Sequence, residues 1–188
     1  EIKEWDDLWD PSLKGKISIP DIASTFGPAM LYVASKHENV DITTDNGKAA
    51  FKGITDLAPN VVKTYSKSSD LANMFQSGEI VAAVVGDFAI PIISQANPDV
   101  AYVVPQSGTY ANFNTININK NSKNKDLAYK YINWRLSKEI QEKTAVSLNE
   151  APTNKEVVLD DKTAQNKTYG DVAKRTNKVD SAFVNKNL

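Results

Sequence analysis

Apolar and polar positions along this chain follow two periods in turn. Residues 16–19 (Lys-Ile-Ser-Ile) alternate with period two and predict a strand. Phe26, Met30, Leu31, Val33 and Ala34 fall on one helical face, with Pro28 in the first turn, where its missing N–H does no harm. Ala49, Ala50, Ile54 and Leu57 mark a second helix, capped by Thr44 or Asp45 and ended by Pro59. Residues 61–65 predict a strand. Leu71, Met74 and Phe75 mark a short helix that Ser69 caps and Gly78 closes. Residues 80–85 are an unbroken β-branched and alanine run, the pattern of a strand covered on both faces.

Upstream, Trp5 to Trp9 predict a short helix stopped by Asp10-Pro11. Downstream, Gly86-Asp87 open a helix over 88–96, with Pro91 in its early turns. Residues 100–104 predict a strand, 105–111 a glycine-bearing loop and 113–118 a further alternating strand. Leu127, Tyr131, Trp134 and Leu136 mark a helix from about residue 125. Ser137 caps the next, which carries Ile140, Ala145 and Leu148, and a short helix follows over 169–174. Strands alternating with helices predict an α/β sheet. The polar, lysine-rich stretch 119–126 is the candidate loop between two lobes.

The composition narrows the function. With 41% apolar and 24% charged residues, the 188-residue chain can bury a real core. A net charge of −1 leaves no basic surplus for phosphates, which argues against nucleic acid. No apolar run is long enough to span a bilayer. The lack of cysteine excludes disulfides, thiolate nucleophiles and cysteine-based metal sites. The lone histidine, His37, excludes a multi-histidine site and is expected to be exposed near a helix end. No P-loop, nucleophile elbow, zinc-protease or dinucleotide motif is present, so no cofactor or metal is expected. The chain opens on Glu1 with no methionine or leader and reads as a fragment.

Ligands of open α/β sheets sit beyond the carboxyl ends of strands. Three places qualify. Ser24 and Thr25 precede the first long helix, where hydroxyls and free N–H groups suit an anion; the alternative is a plain helix cap. Asp87 and Phe88 follow Gly86; Asp87 would hold an amine or hydroxyl and Phe88 would pack on carbon, or Asp87 is a cap. The loop around Tyr110, Asn112 and Asn114 offers amides and rings, or is an ordinary turn. Lys120, Lys123 and Lys125 read as a solvated linker. Asn166-Lys167-Thr168 matches a glycosylation acceptor, a pattern common by chance.

Several stretches carry a resemblance. Residues 4–21 (EWDDLWDPSLKGKISIPD), 57–61 (LAPNV), 75–89 (FQSGEIVAAVVGDFA), 100–110 (VAYVVPQSGTY), 124–142 (NKDLAYKYINWRLSKEIQE), 150–157 (EAPTNKEV) and 168–187 occur in the order found in type II periplasmic solute-binding proteins of ABC importers. The spermidine/putrescine-binding-like branch is the most similar. The resemblance implies a type II periplasmic-binding-protein-like α/β fold, with one complete lobe and part of the second. Residues 1–113 would form lobe 2, and 114–188 would return to lobe 1. It implies a monomer that captures a small polar solute without catalysis or cofactor. It also implies ABC permease subunits as partners, and a place outside the cytoplasm, in the periplasm or at the cell surface as a lipoprotein.

The resemblance weakens at the solute. The acids that pair with polyamine ammonium groups in that branch fall here on Ile22, Thr25 and Asn114, and its stacking rings on Val85 and Asn112. Buried ammonium groups would then lack partners. Ser24 and Thr25 favour an anionic or neutral polar solute, and Asp87 could still hold one amine. Amino-acid-like, opine-like, phosphorylated and sugar-like solutes stay open. The alternatives are the effector domain of a regulator and, third, an α/β enzyme.

Overall fold

The computed structural model describes residues 2–187. The first alternating stretch becomes β1 (Ile17–Pro20), buried along its whole length. It lies between β2 (Val61–Tyr65) and β3 (Ala82–Ala83), and all three run parallel. Parallel neighbours need crossover connections. α1 (Gly27–His37) and α2 (Lys48–Leu57) connect β1 to β2, and α3 (Ser68–Ser77) connects β2 to β3. A 3₁₀ turn at Asp87–Ala89 then leads into α4 (Ile90–Ala96), so the expected single helix from residue 88 is split.

Each sheet face has its own core. Ile17 and Ile19 pack with Leu8, Met30, Val33 and Leu57 on the α1–α2 side. Tyr65, Leu71, Met74, Phe75 and Ile93 pack on the α3–α4 side. Ser18, in the middle, is fully buried, and its hydroxyl donates to the Lys63 carbonyl at 2.8 Å. The run 80–85 also divides: Ala82 and Val84 face one core, Ala83 and Val85 the other. Regular pairing is confined to Ala82–Ala83, flanked by bonds from the Val81 and Val84 N–H groups to the Lys16 and Ser18 carbonyls, and Val81 is 60% exposed.

Local signals decide the helix ends. Gly47, and neither Thr44 nor Asp45, stands at the α2 cap, but Asp45, two residues before it, accepts the N–H groups of Gly47 and Ala49 at 3.0 and 2.7 Å. Gly78 closes α3 as expected, but Ser69 lies inside that helix and Lys67 stands at its cap. His37 is not freely exposed. It stacks on Trp9 at 4.0 Å, and its Nδ1 lies 2.9 Å from Asp6.

Residues 100–104 and 113–118 form no strand. Alternation makes a strand only where a neighbour accepts its backbone bonds, and the exposed 113–118 stretch finds none, with Phe113 74% exposed. Instead β4 (Thr109–Tyr110) pairs with β5 (Thr176–Asn177). Gly108 has φ +105°, and a Cβ there would lie 2.3 Å from the Arg175 carbonyl. Trp5 Nε1 donates to the Gly108 carbonyl at 2.7 Å, and Arg175 donates to the Pro105 carbonyl. The Glu4 carboxylate accepts from Ser107 Oγ at 2.6 Å and from the N–H groups of Gln106 and Ser107. These bonds, the Ser107 hydroxyl first, hold its pKa below the usual value.

α5 (Lys125–Arg135) and α6 (Lys138–Ser147) follow as expected. Ser137 stands at the α6 cap, but its hydroxyl donates to the Trp134 carbonyl. α5 has no buried residue, and Leu127, Tyr131 and Trp134 lie exposed. α7 (Asp161–Ala164), α8 (Asp171–Lys174) and α9 (Ser181–Asn187) complete the chain. The tail returns to α1: Phe183 packs on the Leu31, Ile42 and Ala50 cluster, and the Asp180 N–H donates to the Tyr32 hydroxyl at 3.1 Å.

Truncating fully buried Leu71 to Ala should cost about 2–5 kcal/mol in denaturant unfolding, and Asp45→Ala about 1 kcal/mol. Equal costs would contradict this division between core and helix start. Glu4 supplies a test by pH. A lowered folded pKa stabilises above the ordinary value of 4.5, and the contribution is lost as pH falls through the lowered value. The stability gap between the parent and Glu4→Gln should therefore shrink on acidification through that window. A gap independent of pH would show that the Glu4 contacts contribute nothing.

Candidate functional site

All three parallel strands deliver their carboxyl ends to one edge of the sheet. Beyond β1 the chain turns over residues 21–26. Asp21 sets this turn: its N–H donates to the Tyr65 carbonyl and its Oδ1 accepts the Ala23 N–H, both at 2.9 Å. Phe26, not Ser24 or Thr25, stands at the α1 cap, and no side chain caps that helix. The plain-cap alternative for the two hydroxyls therefore fails. Thr25 is exposed, whereas Ser24 Oγ is buried with no hydrogen-bond partner among the described residues. An orphaned buried hydroxyl is unusual, because burial without a bond costs free energy.

Gly86 brings the β3 end against this turn. The Phe26 and Phe88 rings stack at 5.6 Å, and a Cβ on Gly86 would come within 2.9 Å of both. Glycine leaves room for the ring pair. Phe88 keeps 51% of its surface exposed, so one ring face stays available. Asn112 reaches the same turn, its Nδ2 lying 3.5 Å from the Thr25 carbonyl. Ser24, Thr25, Phe88 and Asn112 thus meet at one edge.

Asp87 stands beside them but is already engaged. Its Oδ2 accepts the Thr168 N–H at 3.1 Å and the Thr168 hydroxyl at 3.0 Å. Its carbonyl accepts from Asn149 Nδ2 at 2.8 Å, and Asn149 Oδ1 accepts the Lys167 ammonium at 2.6 Å. Lys167 is only 5% exposed; burial lowers its pKa, against the opposing pull of Asp87 and Asp160. Burial, then the Asp87 charge, drives the nearby Tyr102 hydroxyl well above its usual range.

Asn114 is exposed and points its amide toward Glu150 at 3.5 Å. Glu150 is paired with Arg135, which also donates to Thr144 Oγ1 at 3.1 Å. Tyr110 lies apart from the others. Its pairing through β4 places the ring beside α1, edge-on to Tyr32 at 6.2 Å and 5.6 Å from the Lys36 ammonium. Burial raises its hydroxyl to about 12.

Sequence reasoning missed Phe26, Asn149 and Lys167 at this edge, and it read Thr168 as part of a glycosylation acceptor. The Thr168 hydroxyl is instead spent on Asp87. Among the described residues, no group of three or more histidines and carboxylates could hold a metal.

Known proteins show the same architecture. The family described as bacterial extracellular solute-binding protein matches residues 1–170. A solved structure of an ABC transporter from Clostridium perfringens ATCC 13124 is 63% identical, with a TM-score of 0.88, over 98% of this chain and 58% of that one. The spermidine/putrescine-binding periplasmic protein of Escherichia coli K12 is 28% identical over 149 residues, 78% of this chain and 41% of that protein. A periplasmic binding protein from Actinobacillus pleuropneumoniae, with fructose-6-phosphate bound, is 25% identical, with a TM-score of 0.66, over 96% of this chain and 54% of that one. The chain thus spans about half the length of these relatives. The family is one of binding proteins and not of enzymes, and the solved relatives share the α/β fold of this chain: the chain belongs to the bacterial extracellular solute-binding proteins.

Proposed function

We propose that this chain is part of the solute-binding component of an ABC importer, which captures a small polar solute and delivers it to permease subunits in the membrane. The observation that carries this reading is the meeting of Ser24, Thr25, Phe88 and Asn112 at the carboxyl edge of a parallel sheet, in a chain of this family. Residues 1–113 are lobe 2. Residues 114–188 pass to lobe 1, and the stretch around 175–183 comes back to touch lobe 2. Two features support this division. The exposed Leu127, Tyr131 and Trp134 on α5 suit a helix that packs on protein outside these residues, and the matched relatives are longer. The component works as a monomer outside the cytoplasm, in the periplasm or as a surface lipoprotein, in keeping with a family of extracellular proteins and a periplasmic relative.

The solute carries an anionic or neutral polar group. Ser24 Oγ and Thr25 offer hydroxyls, Asn112 an amide and Phe88 a ring face, while Asp87 is occupied by Thr168. Tyr110 and Asn114 stand further off, and Asn114 is turned toward Glu150. The named ligands of the relatives, polyamines in one and a sugar phosphate in another, fit a family whose members take solutes of either charge.

Putrescine and spermidine should bind poorly to the full-length protein. A charge-assisted contact is worth about 1.5–3 kcal/mol, so Thr25→Glu should raise polyamine affinity roughly tenfold or more. Calorimetric titration checks both, together with a panel of phosphorylated and amino-acid solutes. Sub-micromolar polyamine binding by the parent would overturn the solute class. A panel without any ligand would overturn the function.

A further inference from the structure

Asp87 stands where a solute contact is expected, yet its Oδ2 and its carbonyl are turned to protein. Its Oδ2 takes two donors from Thr168, and its carbonyl takes the Asn149 amide. Asn149 in turn accepts the ammonium of Lys167, which is almost wholly buried. These partners lie 62 and 81 residues beyond Asp87 in the chain, in the part that leaves lobe 2 after residue 113. A short distance after Thr168 the chain returns to lobe 2, where Thr109 accepts β5 as its neighbour. The network therefore sits beside a crossing between the two parts.

An ammonium group taken out of water needs compensating partners, and the Asp87 charge is already set beside the Lys167 ammonium. Burial disfavours the Lys167 charge, and the nearby Asp87 charge offsets that cost. Lys167 thus depends on Asp87 across the boundary, and removing Asp87 leaves the ammonium in a half-dry setting.

We propose that Asp87 is a positioning residue rather than a solute contact: with Asn149, Lys167 and Thr168 it forms a polar latch that sets the orientation of the two parts around the solute-binding edge. This rests on the two-lobed reading above. The latch requires no ligand to form, and it limits how far the parts separate between solutes.

These 188 residues contain no cysteine, so labels placed among them meet no native thiol of this stretch. Gln76→Cys and Val146→Cys place spin labels on exposed positions of the two parts of the full-length protein. Distance distributions and hydrogen exchange are then measured without solute. Asp87→Ala and Thr168→Val should each broaden the distribution, and Asp87→Ala should speed exchange of the Thr168 amide about tenfold or more. Asp87→Asn, whose side-chain carbonyl can accept the two Thr168 bonds but which lacks the charge beside Lys167, should restore the Thr168 protection and part of the parent distance distribution. That rescue separates a latch from general loss of folding. Should Asp87→Ala fail to fold, Thr168→Val, which removes only the hydroxyl bond, carries the test. Unchanged exchange and distances in Thr168→Val and Asp87→Ala would overturn the latch, as would faster exchange with an unaltered distance. Because no solute is used, failure of the proposed function shows separately, as a solute panel without any ligand.

Discussion

Burial of β1 on both faces is the constraint from which the rest follows. A middle strand of a parallel sheet has no side that water can satisfy, so each face must be roofed by helices. Ile17 and Ile19 commit one face to α1 and α2, and the opposite face is closed by α3 and α4. The crossovers that supply those helices start at the carboxyl ends of the strands. The 21–26 turn and the Gly86–Phe88 corner therefore come together whatever their own sequences, and the stacked Phe26 and Phe88 rings are a product of that topology.

Much of this frame was legible in the chain. Strands β1 and β2 and helices α1 to α6 lie close to where their periodicity and end signals put them, because each signal is local: an alternation, an aspartate before a helix, a closing glycine. The failures were of another kind. Residues 100–104 and 113–118 alternate like strands, but pairing depends on a neighbour that no local pattern reveals. The edge position of β3 is equally invisible from its sequence. His37 was misjudged because its partner, Trp9, lies 28 positions earlier, and stacking leaves no periodic trace.

The site divides in the same way. Ser24, Thr25, Asp87 and Phe88 could be picked out because strand ends and helix starts are readable. The orphaned hydroxyl of Ser24 and the engagement of Asp87 could not, since both depend on which distant groups arrive. Lys167 is the clearest case. A lysine amid polar neighbours reads as solvated, yet it is buried because Asn149 and the nearby Asp87 make its charge tolerable there. The tripeptide that contains it looked like a modification signal, and only the geometry shows that its threonine is already in use.

The loop at 105–110 joins three stretches that synthesis separates widely. Glu4 and Trp5 hold it from about 100 residues before, and Arg175 and Asn177 hold it from about 70 residues after. During vectorial synthesis the early clamp can engage once the loop has emerged, while the late clamp must wait until Arg175, 70 residues beyond Pro105, has followed. The first parallel unit can therefore assemble with its last joint still open. Closing that joint brings Thr176 beside Thr109, a later step whose timing is set by the chain between the two partners rather than by the stability of the core.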